Sequence, residues 1–237
     1  IYSSFYCGFM NELLKRGGIE FLAVFLGIAL SLWVDQYQKS MEAESLNNQI
    51  LSRLYDNLKA DSVDGVWNSN AHRAAMIGSK KVMQWCDNNQ PAMDSIDIFI
   101  SSMAIRTIFV NNKEEYNALK SSGRMELIKN EELIRSLHDY YTMVDFIKES
   151  DKAIQNKVNN HFVPFISNYA DFYGKDSTKI VYDIYRVFNI IKNPNKFKLK
   201  FFASTKHSTS KRMYRRYESI VKDVTAMRAM IREELKN

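Results

Sequence analysis

The side chains best suited to acid–base or metal chemistry in this 237-residue chain are His72, His138, His161 and His207. None of them lies three or four residues from another histidine or a cysteine, which is the spacing that sets two ligands on one helical face. The expected metal set is therefore empty. His138 and Asp139 are neighbours, but adjacent helical residues point about 100° apart and do not form a dyad by themselves. No G-x-S-x-G elbow, Walker loop or dinucleotide fingerprint occurs, and Ser121-Ser122-Gly123 reads as a helix stop. We expect a non-enzyme without cofactors.

Charge chemistry is more informative. Between Asp183 and Glu218 there are ten Lys and Arg and no Asp or Glu, so the net charge of +6 is concentrated in one segment. Lys196, Lys198, Lys200, Lys206, Lys211, Arg212, Arg215 and Arg216 are the candidates for contact with an anionic surface. A solvated loop and helix face, lipid headgroups, nucleic acid and a protein partner all fit such a segment.

The other notable charge is Glu20, set in the apolar run "GGIEFLAVFLGIALSLWVDQY" from Gly17 to Tyr37. Those 21 residues measure about 31 Å as a helix, enough for a hydrocarbon core of about 30 Å. Lys15 and Arg16 precede the run, while Trp33 and Tyr37 close it with rings suited to the headgroup zone. Leu32, Trp33 and Val34 continue past the small residues Ala29 and Ser31, which argues for a retained span over a cleaved signal peptide. Ala23, Gly27 and Ser31 form a small-xxx-small stripe for membrane-helix association. Glu20 fits snorkelling towards water, a pore-mouth carboxylate in an oligomer, or pairing with a partner.

The Lys/Arg bias before the span favours a cytoplasmic N-terminus and a periplasmic C-terminal domain in a bacterial inner membrane, with a cytoplasmic C-terminal domain as the alternative. That topology separates Cys7 from Cys86 and disfavours a nucleic-acid partner. Since the chain begins with Ile, earlier residues are expected.

Positioning these groups falls to helices, because only 8 Gly and 3 Pro punctuate a chain that is 46% apolar. Residues 1–16 read as an interfacial segment and 17–37 as the span. Residues 38–64 read as its stalk, with Met41, Leu46, Ile50, Leu54 and Leu58 on one face. Val63 to Asp87 reads as a second helix through Val66, Trp67, Ala74, Ile77, Val82 and Trp85, ended by the loop "CDNNQPAMD". Ile96 to Val110 fits both a strand and a helix, with helix favoured.

Gly123 should stop a helix carrying Tyr116 and Leu119, and Asn130 should cap a long one carrying Leu133, Leu137, Tyr140, Tyr141, Val144 and Ile147. The tyrosines are expected in a core with wet hydroxyls. Ile180 to Ile191 reads as a buried helix, and Met213, Tyr217, Ile220, Val224, Met227 and Ile231 form a short heptad seam packing on the protein's own core.

The series Glu20, Gly27, Ile28, Ala29 and Trp33 followed by "YNALKSSGRMELIKNEELIRSLHDYY" resembles a family of uncharacterised bacterial single-pass membrane proteins, a domain of unknown function. The matching positions at mid-chain are Tyr116, Leu119, Ser122, Gly123, Leu127, Ile128, Asn130, Leu133, Tyr140 and Tyr141, and the likeness covers Gly17 to Phe146. It implies a membrane anchor and a helical domain, and no activity.

The resulting expectation is an all-α protein: a transmembrane helix, a stalk, a hairpin or bundle over 65–191, and a basic segment with a C-terminal helix over 192–237. Its partners would be membrane lipid and either further copies of itself or a membrane-protein assembly.

Overall fold

The computed structural model describes residues 2–88, 96–172 and 188–236, with side chains described from Phe21 onward. The fold is all-α. Helix α1 spans Tyr2–Asp87, α2 Ile96–Met103, α3 Glu114–Ser122, α4 Glu131–Lys157, α5 Val163–Ile166 and α6 Lys196–Glu234. A 3₁₀ turn, Arg124–Leu127, precedes α4, and a π turn, Val158–Phe162, follows it. Strands β1 (Ala170–Phe172) and β2 (Phe188–Ile190) pair antiparallel, with Asp171 opposite Asn189. The chain divides into two compact units, residues 1–50 and 51–237.

In the first unit every residue from Phe21 to Ser40 is exposed. By length and composition α1 contains a stretch able to cross a membrane.

The second unit is built on three heptad seams. Leu51, Leu54, Leu58, Asp61, Gly65, Asn68, His72, Ala75, Ser79 and Val82 follow one another at alternating spacings of three and four along α1, and all are buried. On α4 the series is Leu133, Leu137, Tyr140, Val144, Ile147, Asp151 and Ile154, again all buried. On α6 it runs Leu199, Ala203, Lys206, Ser210, Met213, Tyr217, Ile220, Val224, Met227 and Ile231. This period of 3.5 is the one that keeps a narrow stripe facing its neighbours along a whole helix.

Local chemistry sets the ends of these helices. Gly123 takes the left-handed conformation at φ 71° after α3, and the Asn130 side chain accepts from Leu133 N–H to start α4. Asn195 caps α6 in the same way through Lys198 N–H. At Gly78 a Cβ would fall 1.8 Å from Ser102 Oγ, so only glycine lets α2 approach α1 this closely.

Several expectations are corrected. Residues 38–87 form no separate stalk and second helix, because α1 runs unbroken to Asp87. Val82 and Trp85 are buried as expected, but Val66, Trp67 and Ile77 are about half exposed, and the polar positions Asp61, Asn68 and His72 share the buried face. Helix α2 ends at Met103, and 104–113 is irregular rather than helical. Within "IVYDIYRVFNII" the described part is 188–191, of which Phe188–Ile190 is strand paired with β1; Phe188 N–H also donates to Ser101 Oγ and Ile190 N–H to Asp97 Oδ1, both on α2. Residues 180–187 lie outside the described residues, as do 89–94 of the expected loop. The basic segment is no loop after Asn195: it is the first half of α6, whose seam starts at Leu199 rather than Met213.

Candidate functional site

The most densely wired part of the second unit is the irregular segment Ala104–Lys113, which crosses the three seams. Without helical bonds of its own, its buried backbone needs partners from elsewhere. Side chains of all three helices supply them. Asp61 Oδ1 accepts from Asn112 N–H at 2.9 Å and Asp64 Oδ2 from Val110 N–H at 2.9 Å. Gln155 Nε2 donates to Thr107 O at 3.0 Å, Tyr141 Oη to Asn112 O at 3.0 Å, and Lys206 Nζ to Ile105 O.

At the centre, Thr107 Oγ1 lies 2.9 Å from His72 Nε2 and donates to Asp151 Oδ1 at 3.0 Å. Tyr217 Oη donates to Asp151 Oδ2 at 2.6 Å, and the His72 ring stacks on the Tyr217 ring at 5.6 Å. The sequence expectation of wet tyrosine hydroxyls fails here: Tyr140 Oη donates to Asp61 Oδ2 at 2.7 Å in a buried site. Burial pushes the hydroxyls of Tyr140, Tyr141 and Tyr217 well above their ordinary range, and the carboxylates they face add to this. Burial also raises Asp61 and Asp64, and lowers His72.

A histidine, a hydroxyl and a carboxylate in a chain resemble catalytic parts, but their burial decides against that use. His72 is 0% exposed, Asp151 2% and Thr107 3%. No reacting atom can come within hydrogen-bond reach of them without opening the core. What the geometry shows is mutual pairing: Thr107 Oγ1 bridges His72 Nε2 and Asp151 Oδ1 at positions where the three helices meet. His138 likewise does not join Asp139; its Nδ1 lies 3.1 Å from Tyr116 Oη.

Apolar periodicity alone missed Asp61, Asn68, His72, Asp151 and Lys206. The signal was present, since each stands where the three-four spacing of its helix demands a core residue.

The predicted anionic-contact residues separate into two groups. Lys206 is a correction: it is buried, 7% exposed, because its position on α6 is a seam position, and burial lowers its amine to about 7. Lys196 lies over the Trp85 ring at 4.5 Å, Lys198 near the Phe165 ring at 5.5 Å, and Lys200 pairs with Asp87. Arg216 stacks on Phe146 at 4.2 Å. Lys211, Arg212 and Arg215 are exposed, and together with Arg216 they line an open groove.

In the first unit Ala23, Gly27 and Ser31 are all exposed on α1, and a Cβ added at Gly27 would meet nothing within 4 Å. Glu20 lies in the helical part of α1, and its side chain lies outside the described residues. Among the described residues no cluster of three or more His, Cys, Asp or Glu is placed to hold a metal ion. No protein-family profile, curated protein or solved structure matches this chain.

Proposed function

We propose that this protein is a non-enzymatic, single-pass membrane protein whose helical domain self-associates or docks on a cell-envelope assembly. The observation that carries this reading is the uninterrupted exposure of Phe21, Leu22, Val24, Phe25, Leu26 and the apolar residues that follow them to Val34, between 47% and 69% exposed. An apolar surface of that length is stable only against lipid or another apolar helix. The sealed polar core supports the non-enzymatic half, since His72, Thr107 and Asp151 are used to position one another. The bacterial inner membrane, with the helical domain in the periplasm, is the proposed location.

The test is extraction. Membranes from expressing cells should retain the full chain through an alkaline carbonate wash and release it in detergent; release by carbonate alone would sink the anchor. In detergent, Gly27→Leu should lower the oligomer mass measured by light scattering, because a leucine holds the Ala23/Gly27/Ser31 stripes apart. An unchanged mass would remove that stripe from the association surface while leaving the anchor standing.

A further inference from the structure

Lys211, Arg212, Arg215 and Arg216 occupy two turns of α6 and form like-charge pairs at i,i+4 (Lys211 with Arg215, Arg212 with Arg216) and at i,i+3 (Arg212 with Arg215). Such pairs oppose helix formation by a few tenths of a kcal/mol each. Earlier along α6 the same kind of charge is relieved by a ring or a carboxylate, as at Lys196, Lys198 and Lys200. Here it is not. Lys211, Arg212 and Arg215 have no ion pair or ring partner among the described residues, and no carboxylate lines the groove. Of the nearest acids on α6, Glu218 accepts from Ser69 Oγ at 3.0 Å, and Asp223 accepts from the groove's Ser219 Oγ at 3.4 Å without lining the groove itself.

The groove itself has a volume of about 660 Å³, within the range of small-ligand sites. Its walls carry Ser208 and Ser219 as well as the four cations. One wall is preset: the Arg216 guanidinium is held over Phe146 and donates to Ser150 Oγ at 3.4 Å. His207 is also preset, because its Nδ1–H donates to the Met76 carbonyl at 3.0 Å, which fixes the ring at the groove wall.

We propose that this groove on α6 binds a soluble ligand carrying clustered phosphate groups, with Lys211, Arg212 and Arg215 as the charge partners and Arg216 as the fixed fork. Guanidinium groups one turn apart, about 5–6 Å between Cβ atoms, can each take a different phosphate oxygen pair. The site does not depend on the anchor.

The experiment is thermal unfolding of the full chain in non-ionic detergent, with sodium tripolyphosphate as probe. Saturating tripolyphosphate should raise the wild-type Tm by roughly 5 °C. The double variant Arg212→Gln/Arg215→Gln should lose most of that shift, while its own Tm without the probe should be equal or higher, since two repelling charges are gone. A purely structural pair would show the opposite sign. Should the double variant fail to fold, Lys211→Gln alone should reduce the shift by half or more. Lys120→Gln/Arg124→Gln, the same charge change on α3 and its 3₁₀ turn, should keep it. An unshifted wild type, a full shift in the groove variants, or an equal loss in the α3 control would each overturn the proposal. Slowed amide exchange of α6 in anionic but not zwitterionic nanodiscs, with no response to tripolyphosphate, would overturn it in favour of the bilayer.

Discussion

Residues 21–34 and the segment around Thr107 invert the usual rule in opposite directions. In the first, large apolar side chains stand outside; in the second, His72, Asp151, Lys206 and Asp61 stand inside. Neither is stable in the surroundings that its sequence position first suggests, and each needs a specific neighbour. The apolar surface needs lipid or a second helix. The polar interior needs hydrogen-bond partners, and Asp61, Thr107, Asp151 and Lys206 find them within the same chain, while His72 Nδ1 and Asn68 Oδ1 have none among the described residues. The first region thus depends on something beyond itself, and the second is satisfied largely by its own side chains.

The sharpest way to break that comparison is to remove one interior partner. Asp151→Ala leaves Thr107 Oγ1 and Tyr217 Oη without their acceptor and His72 without its nearest carboxylate. Stability should fall by about 3–5 kcal/mol, read as the midpoint of denaturant unfolding. A loss under 1 kcal/mol would mean that water already shares this site.

The corresponding change outside is Leu26→Lys, near the middle of the proposed span. Placing an ammonium there should cost about 2.5–3.5 kcal/mol of insertion. The carbonate-resistant fraction should drop while the unfolding midpoint of the helical domain stays put, which separates the two regions by measurement.

Lys206 offers a gentler probe of the interior. Its amine is lowered by burial to about 7, against 10.5 for an ordinary lysine, so between these values the unfolded chain binds a proton that the folded chain does not. Stability should therefore rise with pH from 7 to 9, by up to about 1.4 kcal/mol per unit, and Lys206→Met should flatten that rise. The window stops at 9 because Cys86, pushed up to about 11 by burial, contributes the opposite slope once the unfolded thiol ionises. A flat wild-type profile would show that water reaches the amine.

How much of this was legible follows from which signal each element carries. The cap at Asn130 and the stop at Gly123 were readable because one residue's backbone or side-chain chemistry fixes each. The α6 seam was readable from Met213 to Ile231, where every member is apolar, and was lost from Leu199 to Ser210, where Lys206 and Ser210 interrupt it. The same failure hid the α1 face, since Asp61 and His72 look solvated until Thr107, Tyr140 and the 104–113 backbone are brought to them from far along the chain. Local periodicity cannot see a partner 80 residues away. The groove cations were visible by type, but only the fold separates the three unpartnered ones from Lys196, Lys198 and Lys200.

The smallest effect belongs to an exposed apolar residue of the second unit. Val63, on the same helix as Leu26, is 70% exposed against 56% for Leu26, so exposure alone would treat the two alike. Val63→Lys should nonetheless change stability by less than about 0.5 kcal/mol, because a single surface valine in water loses little when replaced by a good helix former. It should also leave carbonate resistance untouched. If Val63→Lys instead lowered stability or oligomer mass, then Val63, Val66 and Trp67, which lie at i, i+3 and i+4 with about half or more of their surface open, would be an apolar surface awaiting cover. In that case the second unit would be as incomplete as the first, and the contrast between a largely self-sufficient interior and a dependent exterior would hold only for the layers around Asp61 and Asp151.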